Sequence, residues 1–290
     1  MEPIVVQVRR STVVESSHRV HAVAVSDGRV VTAAGDPGLV SFLRSSAKPF
    51  QALPLVRARD DLADEEIAIA SASHLAGPEQ LAAVRSLLAK APAEEDDLEC
   101  GPEPTKLEHN CSGKHAGMLA LCRAKGWESG GYRLATHPVQ HACLAEVADA
   151  AGLGADELTT AVDGCGVLTF ALPLERTARM FAGLEEREGG ARVAAAMRAH
   201  PELIRGPRAA DTMLMVELPG WTAKGGAEGL FCAAGPDGLG IALKVEDGSM
   251  RAMRPALAEL LRRLGLEPGE LGAEPVENSR GELVGEVVAS

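Results

Sequence analysis

The chain has 290 residues, 46% of them apolar and only 3% aromatic, so a sizeable core must be built from Ala, Leu and Val. With 29 Lys and Arg against 41 Asp and Glu, its net charge of −12 argues against a nucleic-acid or anionic-membrane surface, since both need clustered cations. No stretch approaches the roughly 20 apolar residues of a membrane span, and the opening MEPIVVQVRR places its apolar run before its charges, unlike a signal peptide. The expectation is a cytoplasmic protein acting on a small molecule, with neither nucleic acid nor membrane as partner. Six cysteines scattered through a chain of this size read as thiols in a reducing compartment.

Residues 3–9 and 19–25 read as Val-rich strands, and Ser26-Asp27-Gly28 is a turn that returns the chain as a hairpin partner over 29–34. Gly35-Asp36-Pro37-Gly38 breaks this unit, and a short extended piece, 39–43, leads to Arg44-Ser45-Ser46-Ala47-Lys48-Pro49. Apolar positions at helical spacing continue to about Val56. Residues three apart on a helix have Cβ atoms about 5–6 Å apart, so the Lys48 amine can reach the Ser45 hydroxyl. A lysine kept neutral by desolvation, or by a second cation such as Arg44, can take a serine proton. Ser45 as a plain helix cap fits the same residues.

The run 67–71 leads into Ala72-Ser73-His74 and then Gly77-Pro78. Ser73 is a second candidate hydroxyl there, with turn chemistry as the competing reading. Residues 79–90 show helical periodicity, and 91–109, rich in Pro and acids, reads as a loop or sub-domain boundary. Asn110-Cys111-Ser112-Gly113-Lys114-His115 sets an amide, a thiol, a hydroxyl, a lysine and a histidine around one glycine, before a helix over 116–125. A helix N-terminus and Lys114 both favour a thiolate at Cys111. Cys111 and Cys165, with Lys114 or His115 as third ligand, form a candidate zinc set, although no C-x-x-C pair occurs.

His137-Pro138 opens a helix to about Ala151. Residues 161–167 read as a strand-like run carrying Asp163-Gly164-Cys165-Gly166, where Asp163 can hold a substrate amino group or cap a turn. Two helices, 173–185 and 189–199, come next. Strands over 229–234 and 238–246 pair through Pro236-Asp237-Gly238, and Lys244 on the second faces either solvent or a cleft. An amphipathic helix over 250–264 and a strand over 282–288 complete the pattern. Strands, then helices, then strands predict an α+β fold of mixed αβα layers. An antiparallel-rich sheet made from both chain ends would carry a helical region, roughly 50–225, between them, with residues near 244 beside those near 45.

The segments Ser17-His18-Arg19-Val20-His21, Arg44 to Pro49, Ala72-Ser73-His74, Asn110 to Leu119, His137-Pro138, Asp163-Gly164-Cys165, Thr212-Met213-Leu214-Met215 and Lys244-Val245-Glu246-Asp247-Gly248 together resemble the asparaginase II family, the rhizobial type of L-asparaginase. The resemblance spans nearly the whole chain, as one domain over 1–290. It implies a fold like that of serine β-lactamases and glutaminases, and hydrolysis of L-asparagine to L-aspartate and ammonia through an acyl-enzyme. It implies Ser45 as nucleophile paired with Lys48, and Ser73 paired with Lys244. Arg44, His115 and Asp163 fall on the substrate side, and Cys111, Lys114 and Cys165 on a zinc that aids substrate binding. It implies no organic cofactor, and a homodimer. The sequence after Ser73-His74 and the acidic stretch 91–109 depart from the family pattern, around the expected lid of the cleft. Competing readings are a glutaminase or other serine amidohydrolase and, from another class, a non-catalytic zinc- or amino-acid-binding protein.

Overall fold

The computed structural model describes residues 1–272 and 274–290. It begins with three strands, β1 (Ile4–Arg10), β2 (Val13–Ser26) and β3 (Arg29–Ala34). Asp27 and Gly28, at φ of 49° and 68°, make the tight turn between β2 and β3. A short β4 (Val40–Phe42) delivers the chain to a 3₁₀ turn, Arg44–Ala47. Five helices follow: α1 (Lys48–Ala58), α2 (Asp64–Ala70), α3 (Pro78–Lys90), α4 (Ser112–Lys125) and α5 (Pro138–Ala150). The hairpin β5 (Thr159–Val162) and β6 (Leu168–Pro173) precedes α6 (Leu174–Ala182), α7 (Gly190–Ala199), α8 (Pro201–Ile204) and α9 (Ala210–Glu217). The chain then returns to the sheet with β7 (Thr222–Gly225), β8 (Leu230–Ala234), β9 (Gly240–Val245), α10 (Met253–Arg263), β10 (Glu274–Glu277) and β11 (Leu283–Ala289).

The main sheet runs β10-β11-β1-β2-β9-β8-β7, with β3 also on β2, and a smaller sheet runs β4-β6-β5. Every pairing among the described residues is antiparallel. A strand covered on one face alternates apolar with polar, but Val20–Val25 of β2 and Leu230–Ala234 of β8 are buried at consecutive positions. Such runs need cover on both faces. Helix α6 packs on β2, β8 and β9 from one side, where Gly240 meets Ala178 and Ala182. Helix α10 packs on β1, β9 and β11 from the other, over the face that holds Ile4, Val6, Val20 and Leu243. The few aromatic side chains are spent at layer junctions, as where Phe50 of α1 meets Phe181 of α6 edge to face at 5.2 Å.

Three departures from the sequence expectation bear on function. The run 161–167 is not one strand: Asp163-Gly164-Cys165-Gly166 is the turn between β5 and β6, with Gly166 at φ 90° and its amide on the Asp163 carbonyl. Helix α4 starts at Ser112, so Lys114 and His115 stand in its first turn rather than before it. Strand β7, unanticipated, is the sheet edge that packs on the Arg44–Ala47 turn, whereas Lys244 lies two strands further in.

A Cβ on Gly240 would overlap the Ala178 carbonyl oxygen and stand 2.6 Å from the Ala182 amide. Gly240→Ala is therefore expected to lower stability by about 2–3 kcal/mol, seen as a lower urea midpoint at unchanged m-value.

Candidate active site

The turn that carries Ser45 is held from three sides. The Leu43 amide donates to the Phe170 carbonyl at 2.8 Å, and the Arg44 amide to the Thr169 hydroxyl at 3.0 Å, both on β6. The Ser46 hydroxyl donates to the Lys224 carbonyl on β7 at 2.9 Å. These bonds hold Arg44 at φ 48°, a left-handed conformation that disfavours an L-residue by about 1–2 kcal/mol. A Cβ on Gly226 would stand 2.8 Å from the Leu43 carbonyl oxygen and 3.0 Å from the Ser46 hydroxyl, so the end of β7 presses directly on the turn. Ser45 is half-buried, and neither its hydroxyl nor its amide has a hydrogen-bond partner among the described residues.

Lys48, one turn on, has no exposed surface. Its Nζ donates to the Ala72 carbonyl, lies 3.5 Å from the Asn110 carbonyl, and stands 3.0 Å from the Ser73 hydroxyl. Burial pushes its pKa down, with Lys114 adding to the effect and the Cys111 and Cys165 thiols opposing it. Its three hydrogen-bond partners are two carbonyls and a hydroxyl, none of them an anion, so no ion pair offsets the loss of water. Ser73 is fixed by its own amide, which donates to the Ile204 carbonyl at 2.8 Å. The adjoining His74 accepts from the Ala76 amide at Nδ1, so its proton is on Nε2 and goes to the Ser112 hydroxyl at 2.8 Å. Burial and the charge of Lys48 lower the His74 pKa to about 4, which leaves the ring neutral.

Cys111 and Cys165 lie together beside Lys114. Lys114 Nζ stands 3.0 Å from Cys165 Sγ, and Cys111 Sγ stands 3.0 Å from Asn110 Oδ1. A hydrogen bond from Cys165, with Lys48 and Lys114 behind it, holds the Cys111 thiol well below the usual range, while sharing that proton and burial push Cys165 up. Burial alone would lower Lys114, but the Cys165 and Cys111 sulfurs outweigh it and raise its pKa. Among the described residues no three His, Cys, Asp or Glu side chains cluster as a metal site; the third donor beside the two sulfurs is the lysine. All six cysteines are buried and free.

His115 and Asp163 flank this group. The Tyr132 hydroxyl accepts from the Glu99 amide at 2.8 Å and is 2.8 Å from His115 Nδ1. No other acceptor meets the hydroxyl hydrogen among the described residues, so it donates to Nδ1 and the ring proton is on Nε2. That atom is buried and without a partner among the described residues. Burial and Lys114 keep His115 neutral by lowering its pKa well below the usual value. Asp163, its side chain 8% exposed, accepts from Arg44 Nε at 2.5 Å and from the Gly164 amide at 2.8 Å.

The structure brings Arg44, Ser45, Lys48, Ser73, Cys111, Lys114, His115, Asp163 and Cys165 together, but not Lys244. Lys244 pairs across to His21 and Leu230, its amine goes to the Val245 carbonyl, and its charged neighbours are Glu228, Asp247 and Glu246. The adjoining segments lock to β2, through His18 to Asp247 and His21 to Glu246, both at 2.7 Å. The lysine that faces Lys48 is Lys224 on β7, fully buried, with Nζ 2.7 Å from the Gly225 carbonyl and 3.5 Å from Asp211 Oδ2. Burial, then Lys48 and Arg205, lower its pKa to about 8 against the pull of Asp211. Strand spacing puts the two Cα atoms, two strands and two residues apart, about 12 Å from each other. Sequence reasoning missed Lys224; the available signal was the glycine pair after it, since Gly225 and Gly226 are what let the strand meet the turn.

A family model described as L-asparaginase II matches residues 6–289. No curated protein matches the chain. Among solved structures, the chain is similar to Mglu in its native form, with a TM-score of 0.52 at 15% identity over 87% of this chain and 66% of that one. It is similar to Mglu in its glutamate form, with a TM-score of 0.52 at 14% identity over 87% of this chain and 62% of that one. With a TM-score of 0.39 and 14% identity, it is similar over 86% of this chain and 84% of that one to a probable glutaminase from Bacillus subtilis complexed with 6-diazo-5-oxo-L-norleucine. The chain thus spans about two thirds of the length of the Mglu chains. The likeness to Mglu shows the fold, helices layered on an antiparallel-rich sheet, which is the class the sequence predicts.

Tyr132→Phe leaves the Glu99 amide and His115 Nδ1 without their shared partner. It is expected to lower stability by about 1–3 kcal/mol, read from chemical unfolding.

Proposed function

The chain belongs to the L-asparaginase II family and is thereby an amidohydrolase, and from that premise we propose that it hydrolyses L-asparagine to L-aspartate and ammonia through a serine acyl-enzyme. The observation that carries this reading is the Lys48 amine, buried and held against Ser73 one turn from a Ser45 whose hydroxyl and amide are both uncommitted. Ser45 Oγ attacks the side-chain amide carbon, and its proton passes to Lys48. The Ser45 amide holds the oxyanion; one such donor is typically worth about 10²–10³ in rate. Lys48 returns the proton through Ser73 to the leaving nitrogen, which departs as ammonia. Water then attacks the ester, Lys48 takes its proton, and Ser45 regains its hydrogen as aspartate leaves.

In this reading Lys224 takes the place the sequence expectation gave to Lys244. The amines of Lys48 and Lys224 disfavour a double charge, a repulsion that is seen on Lys224, whose pKa Lys48 lowers, while Lys48 is depressed chiefly by its burial. His115 Nε2–H is a buried donor free for the substrate carboxylate, and Asp163, held by Arg44, receives the α-amino group. Two sulfurs and an amine form a soft donor set that fits Zn²⁺ with one position open. Cys111, Cys165 and Lys114, once deprotonated, would hold the ion, and when bound it would supply a Lewis-acid anchor for the substrate backbone groups.

One observation favours a second assignment of the nucleophile. It is Ser73, not Ser45, whose hydroxyl touches the lysine amine, at 3.0 Å. An amino-acid diazoketone followed by peptide mass spectrometry separates the two, since the proposal requires the adduct on Ser45 and an adduct confined to Ser73 reverses the roles.

Ammonia release from L-asparagine, with L-glutamine alongside, is expected from the wild type and to fall about 10³-fold or more in Ser45→Ala. Turnover of glutamine alone would make the chain a glutaminase. Lys224→Met should lower kcat/KM at least about 100-fold and Lys244→Met hardly at all; the reverse order would restore the original pairing. Lys224 is charged below its pKa of about 8, so kcat/KM should decline as pH rises through about 8, and the residual activity of Lys224→Met should lack that limb. Protein prepared without chelator should contain about one zinc per chain, lost in Cys165→Ala; metal-free protein with full substrate affinity removes the zinc from the scheme.

A further inference from the structure

A cavity of about 500 Å³ opens on the other side of β7 from the catalytic group. None of Ser45, Lys48 and Ser73 lines it; its walls include Gly225 of β7, Asp211 of α9, and Arg205, Arg208, Arg251 and Arg254. Four arginines around one cavity run against a chain whose net charge is −12. The side chains of Arg205, Arg208 and Arg251 make no hydrogen bond or ion pair among the described residues. Arg254 is only 8% exposed; it holds the Glu270 carbonyl at 2.7 Å and Glu274 at 3.5 Å, but its buried Nε has no acceptor. A buried donor left without an acceptor is disfavoured, so it points to a missing partner.

The carboxylates in the cavity do not meet this demand. Asp211 is engaged by the Gly225 amide at 3.1 Å and by Lys224, and Glu274 by Arg254, which leaves Glu277 against three unpaired guanidinium groups. Helix α9 also opens here, with Ala209 at its N-cap making no side-chain cap; the Thr212 amide goes to Asp211, and the Ala210 and Asp211 amides remain free among the described residues. The volume suits a small molecule, and the planar fork of arginine matches paired anionic oxygens. We propose that this cavity binds a small dianion of the carboxylate or phosphate class through Arg205, Arg208, Arg251 and Arg254. The cavity is lined by none of Ser45, Lys48 and Ser73, and it adjoins the catalytic group through the Asp211–Gly225 wall and through Arg205, whose charge reaches Lys224.

Titration calorimetry with inorganic phosphate and with succinate, each on the full chain, tests this and distinguishes the two sources. Binding at about 1 mM or tighter is expected for at least one, with the tighter of the two naming the class, and with Ser45→Ala unchanged. The double variant Arg208→Gln, Arg251→Gln alters only unpaired side chains and should weaken binding about tenfold or more at an unchanged melting temperature. Absence of heat with both probes overturns the proposal. So does binding that is indifferent to the double variant, or that Ser45→Ala impairs as much.

Discussion

A lysine amine without water is the constraint on which the site depends. An isolated ammonium in an apolar interior is disfavoured by several kcal/mol even after relaxation, so the group sheds its proton or finds acceptors. Helix α1 is buried from Lys48 to Val56, which removes solvent from the Lys48 side chain altogether. Its carbonyl acceptors come from segments flanking two other helices: Ala72 follows α2 and Asn110 precedes α4. That convergence needs backbones at close quarters, and glycines allow it. A Cβ on Gly113 would overlap the Ile69 carbonyl oxygen of α2, and one on Gly117 would lie 3.3 Å from both Ala70 and Leu55. The sequence Ser-Gly-Lys-His-Ala-Gly is therefore as much a packing device as a carrier of functional groups.

Around Lys48 each other cation has its own anionic or sulfur partner. Arg44 has Asp163, Lys114 has Cys165, and Lys224 has Asp211. Lys48 has carbonyls and a hydroxyl instead. The charge of Lys48 is therefore opposed chiefly by burial, with Lys114 adding to it, while the Cys111 and Cys165 sulfurs pull the other way. Desolvation is how a group that is normally protonated becomes a base.

Much of this was legible in the residues, and the misses have definite causes. The Val-rich strands, the Asp27-Gly28 turn and the Pro78 and Pro138 helix starts are local signals, and local chemistry decides them. The α+β class followed from element order. The Arg44–Pro49 stretch carried both its serine and its lysine, though Ser45 sits in a 3₁₀ turn held by β6 and β7 rather than at a helix cap. Lys244 misled because alternation of Ile241, Leu243 and Val245 is a strong strand signal and says nothing of which strand borders the turn. Lys224 escaped because β7 is four residues between a tryptophan and a glycine run, too short for a period. Its place is fixed by pairing with β8 and by contact with a turn some 180 residues earlier in the chain, information that no window of sequence contains. The Arg205–Arg254 cavity is of the same kind, since its arginines are dispersed over two segments and only the tertiary structure gathers them.

The sheet order has a consequence for how the molecule assembles. Strand β2 lies between β1 and β9, and β1 lies between β2 and β11, so two strands of the eight-stranded sheet wait for partners made more than 200 residues later. Contacts of such sequence separation slow folding, because chain closure precedes the interactions that reward it. During synthesis the β1–β2–β3 meander therefore presents an unfinished apolar edge until β9 and β11 emerge. The helices made in between have mostly nearby partners and can settle first. A nascent chain of this design depends on that helical unit, or on a chaperone, to shield the waiting strands, and the buried lysine pair, with one member on α1 and the other on β7, is completed only late in the passage from ribosome to folded protein.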